Sequence, residues 1–424
     1  MPGLSSARLH RILRRLVLAL IFALSAGLIA PHLWAWHQLR AGHDALDQNH
    51  NQVALDHLDS CLKIWPNSYS AHLFAARACW RTEQFERSDR HLQECRRVLG
   101  KSTEELVFEQ ALLRATTGDL DPQIEEYLQA RTQKPQFAPL ALEALAVGYL
   151  RIYRILEALA CLNRWISYDP DQARAYELRG KVWRQAKVPQ NAVPDYRRVV
   201  ELDPENADAH WYLGLGLVEI GRYDEALEHL EFVERQRPND LDLLVAKARS
   251  HSGLGRPDEA NSLLDRVLTI DPEHGPALRA RGQTALMTHD AAAAETWLRK
   301  ALRALPHDYQ TNFSLYQALQ QQEKLAEAKE QMARVQKVQA RLERMNEIMT
   351  RKMSTTPHAP ELHYELGMLL LSAGHKDVGE TWLLSALREK PDFRSAHVAL
   401  AEFYEAEGNA QKATYHREQA AKIP

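Results

Sequence analysis

Residues 207–238 read ADAHWYLGLGLVEIGRYDEALEHLEFVERQRP, a stretch with small residues and one proline at fixed offsets. With Ala207 as position 1, Leu213 and Gly214 fall at 7 and 8, Gly221 and Tyr223 at 15 and 17, and Ala226 at 20. Leu230 falls at 24 and Pro238 at 32. The proline comes back: Pro170, Pro204, Pro238, Pro272 and Pro306 are 34 residues apart each time. Pro66 and Pro135 continue the series upstream, with Gly100 between them. Self-similarity at this period implies stacked helix–turn–helix units. Small residues at 8 and 20 let two antiparallel helices approach closely. Large residues at 24 and 27 bury against the next unit, and proline ends the second helix because it cannot continue the hydrogen-bond ladder.

Sliding this frame gives about eleven repeats, starting near Ala35, Tyr69, Glu104, Pro139, Ala173, Ala207, Leu241, Gly275, Tyr309, Pro360 and Arg394. Position 20 reads Ala54, Ser88, Gln123, Ala158, Ala192, Ala226, Ala260, Ala294, Ala328, Gly379 and Ala413, alanine or glycine in all but two. Position 8 is Gly42, Ala76, Ala111, Ala146, Gly180, Gly214, Ala248, Gly282, Gly367 or Ala401. The third repeat, with Gln123 at 20 and Arg114 at 11, is the weakest. The pattern resembles the tetratricopeptide repeat, and it covers nearly everything after residue 35. The resemblance implies an all-α, right-handed α-solenoid with a concave groove that takes a peptide or protein partner.

One interval breaks the period. Pro306 and Pro391 are 85 residues apart, two periods and 17 more. The excess follows Ala328, in a run without glycine or proline, and predicts an extended helix near 326–353. Val335, Val338, Leu342, Met345 and Met349 form a short heptad-like stripe on it. The stripe reads first as a brace on the last repeats and second as a self-association surface over 328–353.

The N-terminus carries Arg8, Arg11, Arg14 and Arg15 within residues 1–15, a basic segment read as cytoplasmic. Leu16–Trp36, LVLALIFALSAGLIAPHLWAW, is uncharged and long enough to span a bilayer as a signal-anchor helix. The positive-inside bias then predicts an exported repeat domain, residues 37–424, on the periplasmic side. Signal-peptide cleavage near Ala23 and Ser25 is the alternative. The whole chain has formal net charge −3, unlike a general nucleic-acid binder. Its four cysteines make no disulfide framework; Cys61 and Cys95 at position 27 and Cys79 at 11 read as buried thiols.

Catalytic motifs fail when tested. Gly100-Lys101-Ser102 lacks the glycine a phosphate loop needs five residues earlier, where Cys95 stands. Gly214-x-Gly216 lies inside a predicted helix, and His358 to His363 lacks the spacing of a zinc protease. No metal or cofactor site, and no enzyme, is expected.

The groove remains. By the resemblance, positions 2, 5, 9, 12 and 13 of each first helix face it. Trp211, Leu215 and Val218 make an apolar stripe there in the sixth repeat. Neighbouring repeats add Arg174, Lys181, Arg184, Arg249 and Arg279, and Arg77, Trp80, Arg81 and Phe108 lie further toward the N-terminus. Aromatic plus arginine is the chemistry of binding hot spots. The expected function is a membrane-anchored scaffold or adaptor. The alternative is a structural or assembly-factor subunit of an envelope biogenesis or export complex.

Overall fold

A computed structural model describes residues 27, 29–152, 154–349, 355–356 and 358–423. Every helix among them belongs to a hairpin series, and no strand occurs among the described residues. The chain divides into an N-terminal body up to Arg151 and a C-terminal body from Ile152.

In the N-terminal body, α1 covers residues 29–47. It is followed by α2 (Asn51–Ile64), α3 (Tyr69–Arg81), α4 (Phe85–Leu99), α5 (Glu104–Thr116), α6 (Pro122–Arg131) and α7 (Ala138–Arg151). The C-terminal body holds α8 (Ile155–Tyr168), α9 (Ala173–Gln185), α10 (Pro189–Leu202), α11 (Ala207–Glu219) and α12 (Tyr223–Gln236). Next come α13 (Leu241–Gly253), α14 (Pro257–Ile270), α15 (Gly275–Met287), α16 (Ala291–Ala304), α17 (Tyr309–Gln321) and α18 (Leu325–Glu347). The series closes with α19 (Pro360–Ser372), α20 (Lys376–Glu389), α21 (Arg394–Ala406) and α22 (Ala410–Lys422).

The starts of α3, α5, α9, α11, α13, α15, α17, α19 and α21 coincide with the repeat starts read from the sequence. The cause is local. Ser68, Thr103, Asn206, Asp240 and Asp308 stand just before these helices, and each side chain accepts a hydrogen bond from a first-turn N–H. The close-approach positions behave as their sizes require. Ala226 and Leu230 are fully buried, and a Cβ built on Gly214 would stand 2.8 Å from Leu230 Cδ2. The same contact recurs at Gly282, 2.5 Å from Leu298 Cγ. Where serine replaces alanine at position 20, the buried Ser88 hydroxyl donates to the Ala76 carbonyl at 2.9 Å. In the third repeat Gln123 is exposed and α6 has only 10 residues, so α5 packs directly on α7 through Gly148 and Ala115.

A polar rung joins positions 4 and 23 in several repeats. Gln38 meets His57 at 2.6 Å, His72 meets His91 at 2.9 Å, and His210 meets His229 at 3.0 Å. Gln331 donates to Asn312 at 2.9 Å, and His397 meets His416 at 2.9 Å. Nε2 of His72, His210 and His397 also lies 3.0, 3.1 and 3.0 Å from the carbonyl of the proline six residues earlier. A carbonyl only accepts, so that nitrogen carries the proton and the neutral ring accepts through Nδ1. The position-23 histidine must therefore donate. These histidines are in part a device tying the turn proline to both helices.

Several sequence expectations change here. The extended helix is regular only to Glu347, 23 residues in all; residues 348–349 continue as a wider turn, and 350–354 lie outside the described residues. Its stripe is mostly internal: Val335 and Val338 are buried, while Met345 and Met349 pack with Ile348, Leu366, Leu370 and Trp382. Among the described stripe residues only Leu342 is well exposed, so over 328–349 this face braces its own chain; residues 350–353 of the stretch read as a self-association surface lie outside the described residues. Residues 16–26 and 28 of the membrane segment lie outside the described residues. Residues 29–36 are the start of α1, and Ala35 is buried against α2 and α3. No described helix is long and apolar enough to cross a membrane. Cys61, Cys79 and Cys95 are buried free thiols; burial pushes Cys79 up to about 11 and Cys95 up to about 12.

Candidate binding groove

In the C-terminal body α11, α13, α15 and α17 lie side by side, each packed against the next, because their partner helices α12, α14 and α16 occupy the opposite layer. A depression of about 500 Å³ runs along them. Its floor comes from positions 12 and 13: Val218 on α11, Ser252 and Gly253 on α13, Leu286 and Met287 on α15. Gly253 is required because a Cβ there would collide with the Tyr223 ring, which also lines the depression. A polar thread crosses the floor. The Ser252 and Thr284 hydroxyls meet at 3.0 Å, Ser252 Oγ reaches Met287 Sδ at 3.3 Å, and Gln283 Nε2 donates to Ser314 Oγ at 3.3 Å.

Arg249 is the charge of this groove. Among the described residues it has no hydrogen-bond or ion-pair partner. Burial and the neighbouring Arg279 pull its guanidinium below its ordinary value, with Glu219 opposing from longer range. The group cannot deprotonate to escape, so a half-buried cation faces the depression. Gln310, Gln317 and Gln321 on α17 are exposed around it, with Phe313 half-buried between them. Each amide offers a donor and an acceptor, the same pair that a peptide group presents.

The residues singled out in the sequence part company. Val218 and Arg249 line the depression. Trp211 and Leu215 are half-buried against the core around Leu213, Leu217 and Leu230 and do not line it. Arg279 is held by Asp308 at 3.0 Å, and Arg174 by Glu177 at 3.2 Å. Arg184 lies 3.9 Å above the Tyr212 ring, while Lys181 is exposed. In the N-terminal body the aromatic–arginine set is structural. Trp80 and Phe108 are buried, Arg77 binds the buried Glu109, and Arg81 forks onto the buried Glu143 at 2.7 and 3.0 Å. An arginine paired inside its own fold is not offered to a partner.

Gln310, Phe313, Gln317 and Gln321 escaped notice although they sit at positions 2, 5, 9 and 13 of the ninth repeat. The positional rule pointed to them; their lack of charge hid them.

Tetratricopeptide-repeat family models match residues 39–89, 189–240 and 217–284, so the chain carries tetratricopeptide repeats. Anaphase-promoting complex subunit 3 of Schizosaccharomyces pombe is 23% identical over 168 residues, 40% of this chain and 25% of that protein. Protein O-mannosyl-transferase TMTC3 of Homo sapiens is 25% identical over 198 residues, 42% of this chain and 22% of that protein. The chain spans a quarter or less of the length of these curated relatives. Among solved structures, PilW, a type IV pilus biogenesis factor, is 17% identical with a TM-score of 0.38, covering 55% of this chain and 98% of its own. YrrB, a tetratricopeptide-repeat protein with an unusual peptide-binding site, is 17% identical with a TM-score of 0.33, covering 53% and 96%.

Proposed function

We propose that this chain is a non-enzymatic scaffold or adaptor that holds an extended protein segment in the groove of α11, α13, α15 and α17. The observation carrying this reading is Arg249, a half-buried cation without a hydrogen-bond or ion-pair partner among the described residues, in a depression that glutamine amides also line. An acidic side chain of the partner would neutralise it, glutamines would bond the partner's main chain, and Phe313 and Met287 would take an apolar side chain. Among the described residues the lining holds no histidine, cysteine or carboxylate that could act as general base for its serine and threonine hydroxyls. The transferase activity in the human relative's name belongs to a protein of which this chain spans 22%.

The test is capture from detergent-solubilised membranes by the tagged full chain, followed by identification of what co-purifies. Arg249→Gln is expected to weaken capture about tenfold with an unchanged melting curve. Capture that ignores both Arg249→Gln and Phe313→Ala would place the partner elsewhere. Trp211→Ala is expected to lower stability by about 2 kcal/mol, since its ring packs on the core.

The four arginines before an uncharged apolar stretch further support a membrane anchor with the repeats on the extracytoplasmic side. Protease added to intact spheroplasts should then digest the repeats. Protection of the repeats, or a mature protein beginning near Ala26, counts against the anchor.

A further inference from the structure

The long interval between Pro306 and Pro391 leaves a gap in the stack. Every other second helix of the C-terminal body has 13 or 14 residues, whereas α18 has 23 and meets α19 mainly beyond Arg341. Below that meeting point a wedge of about 500 Å³ opens between α18, the end of α16 and α19. Its apolar base is made by Leu302, Val338 and Leu369. One wall is Arg334, Lys337 and Arg341, spaced three and four residues apart on one face of α18.

These cations differ from most others in the chain. Arg87, Arg197, Arg237 and Arg299 each bind a carboxylate of their own fold. Arg334 and Lys337 are exposed and, among the described residues, have no hydrogen-bond or ion-pair partner. Arg341 donates through Nη1 to the Ser372 carbonyl at 2.7 Å, yet its Nε is buried with no acceptor. Among the described residues no aspartate or glutamate lines the wedge. His307, also in the lining, is held below its ordinary value by burial and then by Arg341 and His375. A chain of net charge −3 has thus gathered unneutralised positive charge around one apolar cleft.

We propose that this wedge is a second docking site, for an acidic segment of a partner protein with leucine-like side chains among its carboxylates. Apolar side chains would fill the cleft over Val338 and Leu369, and carboxylates would meet the exposed Arg334 and Lys337. A nucleic acid would need ring faces to stack its bases, and among the described residues the lining offers only His307. The site shares no lining residue with the groove around Arg249, so the two proposals stand or fall separately.

The probe is a short synthetic peptide of Asp and Glu around two leucines, titrated by fluorescence anisotropy against the full chain. Parallel titrations use the leucine-to-serine peptide, a single-stranded RNA and phosphatidylserine vesicles. The acidic leucine peptide is expected to bind in a salt-sensitive way and to lose at least about tenfold in affinity to Arg334→Glu/Lys337→Glu. Arg249→Gln should leave this binding unchanged, and circular dichroism should confirm that the double variant stays helical. The proposal is overturned if the double variant binds the peptide normally. It is equally overturned if serine replacement costs nothing, or if the RNA or the vesicles bind more tightly with the same dependence on Arg334 and Lys337.

Discussion

At the residue scale, the turn between the two helices of each repeat makes one conformational demand. Position 15 is left-handed in every repeat where it is described, with φ of 79° at Gly221, 61° at Glu83, 58° at Lys187, 61° at His289 and 58° at Glu323. Glycine occupies that region without cost, while a residue with a Cβ is strained there. Glu323 is exposed and its side chain makes no bond that glycine would forfeit. Glu323→Gly is therefore expected to stabilise the C-terminal body by about 0.5–1 kcal/mol, the relieved strain outweighing the added freedom of the unfolded chain. Urea denaturation of the two proteins side by side measures it, and a lower midpoint for the glycine variant would contradict the strain argument.

At the element scale, the paired histidines make helix packing depend on pH. Burial, then His72 and Arg87, lower His91 to about 4, against a weak opposing pull from Asp59. Burial and then His210 lower His229, with Glu225 opposing and Arg197 reinforcing; burial and then His397 and Lys412 lower His416, with Glu380 opposing. In the unfolded chain these rings take up a proton near pH 6.5. A depressed folded value means that the fold prefers the neutral ring. The stabilisation is whole above about pH 6.5 and drains away as the pH falls toward 4. The melting temperature should drop by roughly several degrees between pH 7 and 5. The ninth repeat supplies the control, because Asn312 and Gln331 make the same rung without titrating. The double substitution His210→Asn/His229→Gln should flatten part of the pH dependence, and an unaltered slope would rule the rung out as its source.

At the scale of the whole molecule, each hairpin of the C-terminal body packs chiefly on its immediate neighbours, which makes damage local. Ala226 and Ala413 occupy the same buried position in repeats far apart in the series. Leucine at either should overpack its hairpin and cost about 1–3 kcal/mol. The two losses should add to within about 0.5 kcal/mol in the double variant, measured by chemical denaturation. A large departure from additivity would mean that the stack transmits strain over several repeats.

Helix boundaries were written into the chain because their causes are local: a capping side chain, a small residue every half period, a proline at the end. Ala226, Gly214 and Pro238 announced a hairpin without any knowledge of its neighbours. The weakness of the third repeat was also visible in Gln123, and the structure answers with a short α6. Function was less legible. Trp211 looked like a binding anchor because position 5 faces the groove, yet its ring turns onto the core. Arg77 and Arg81 looked free, and Glu109 and Glu143 consume them. Whether a cation is neutralised depends on carboxylates up to 62 residues away in the chain, a distance that only packing closes. By the same logic Arg249, Arg334 and Lys337 stand out only in three dimensions. A periodic sequence dictates where helices start and stop, while the supply of opposite charge across the folded stack decides which side chains remain for a partner.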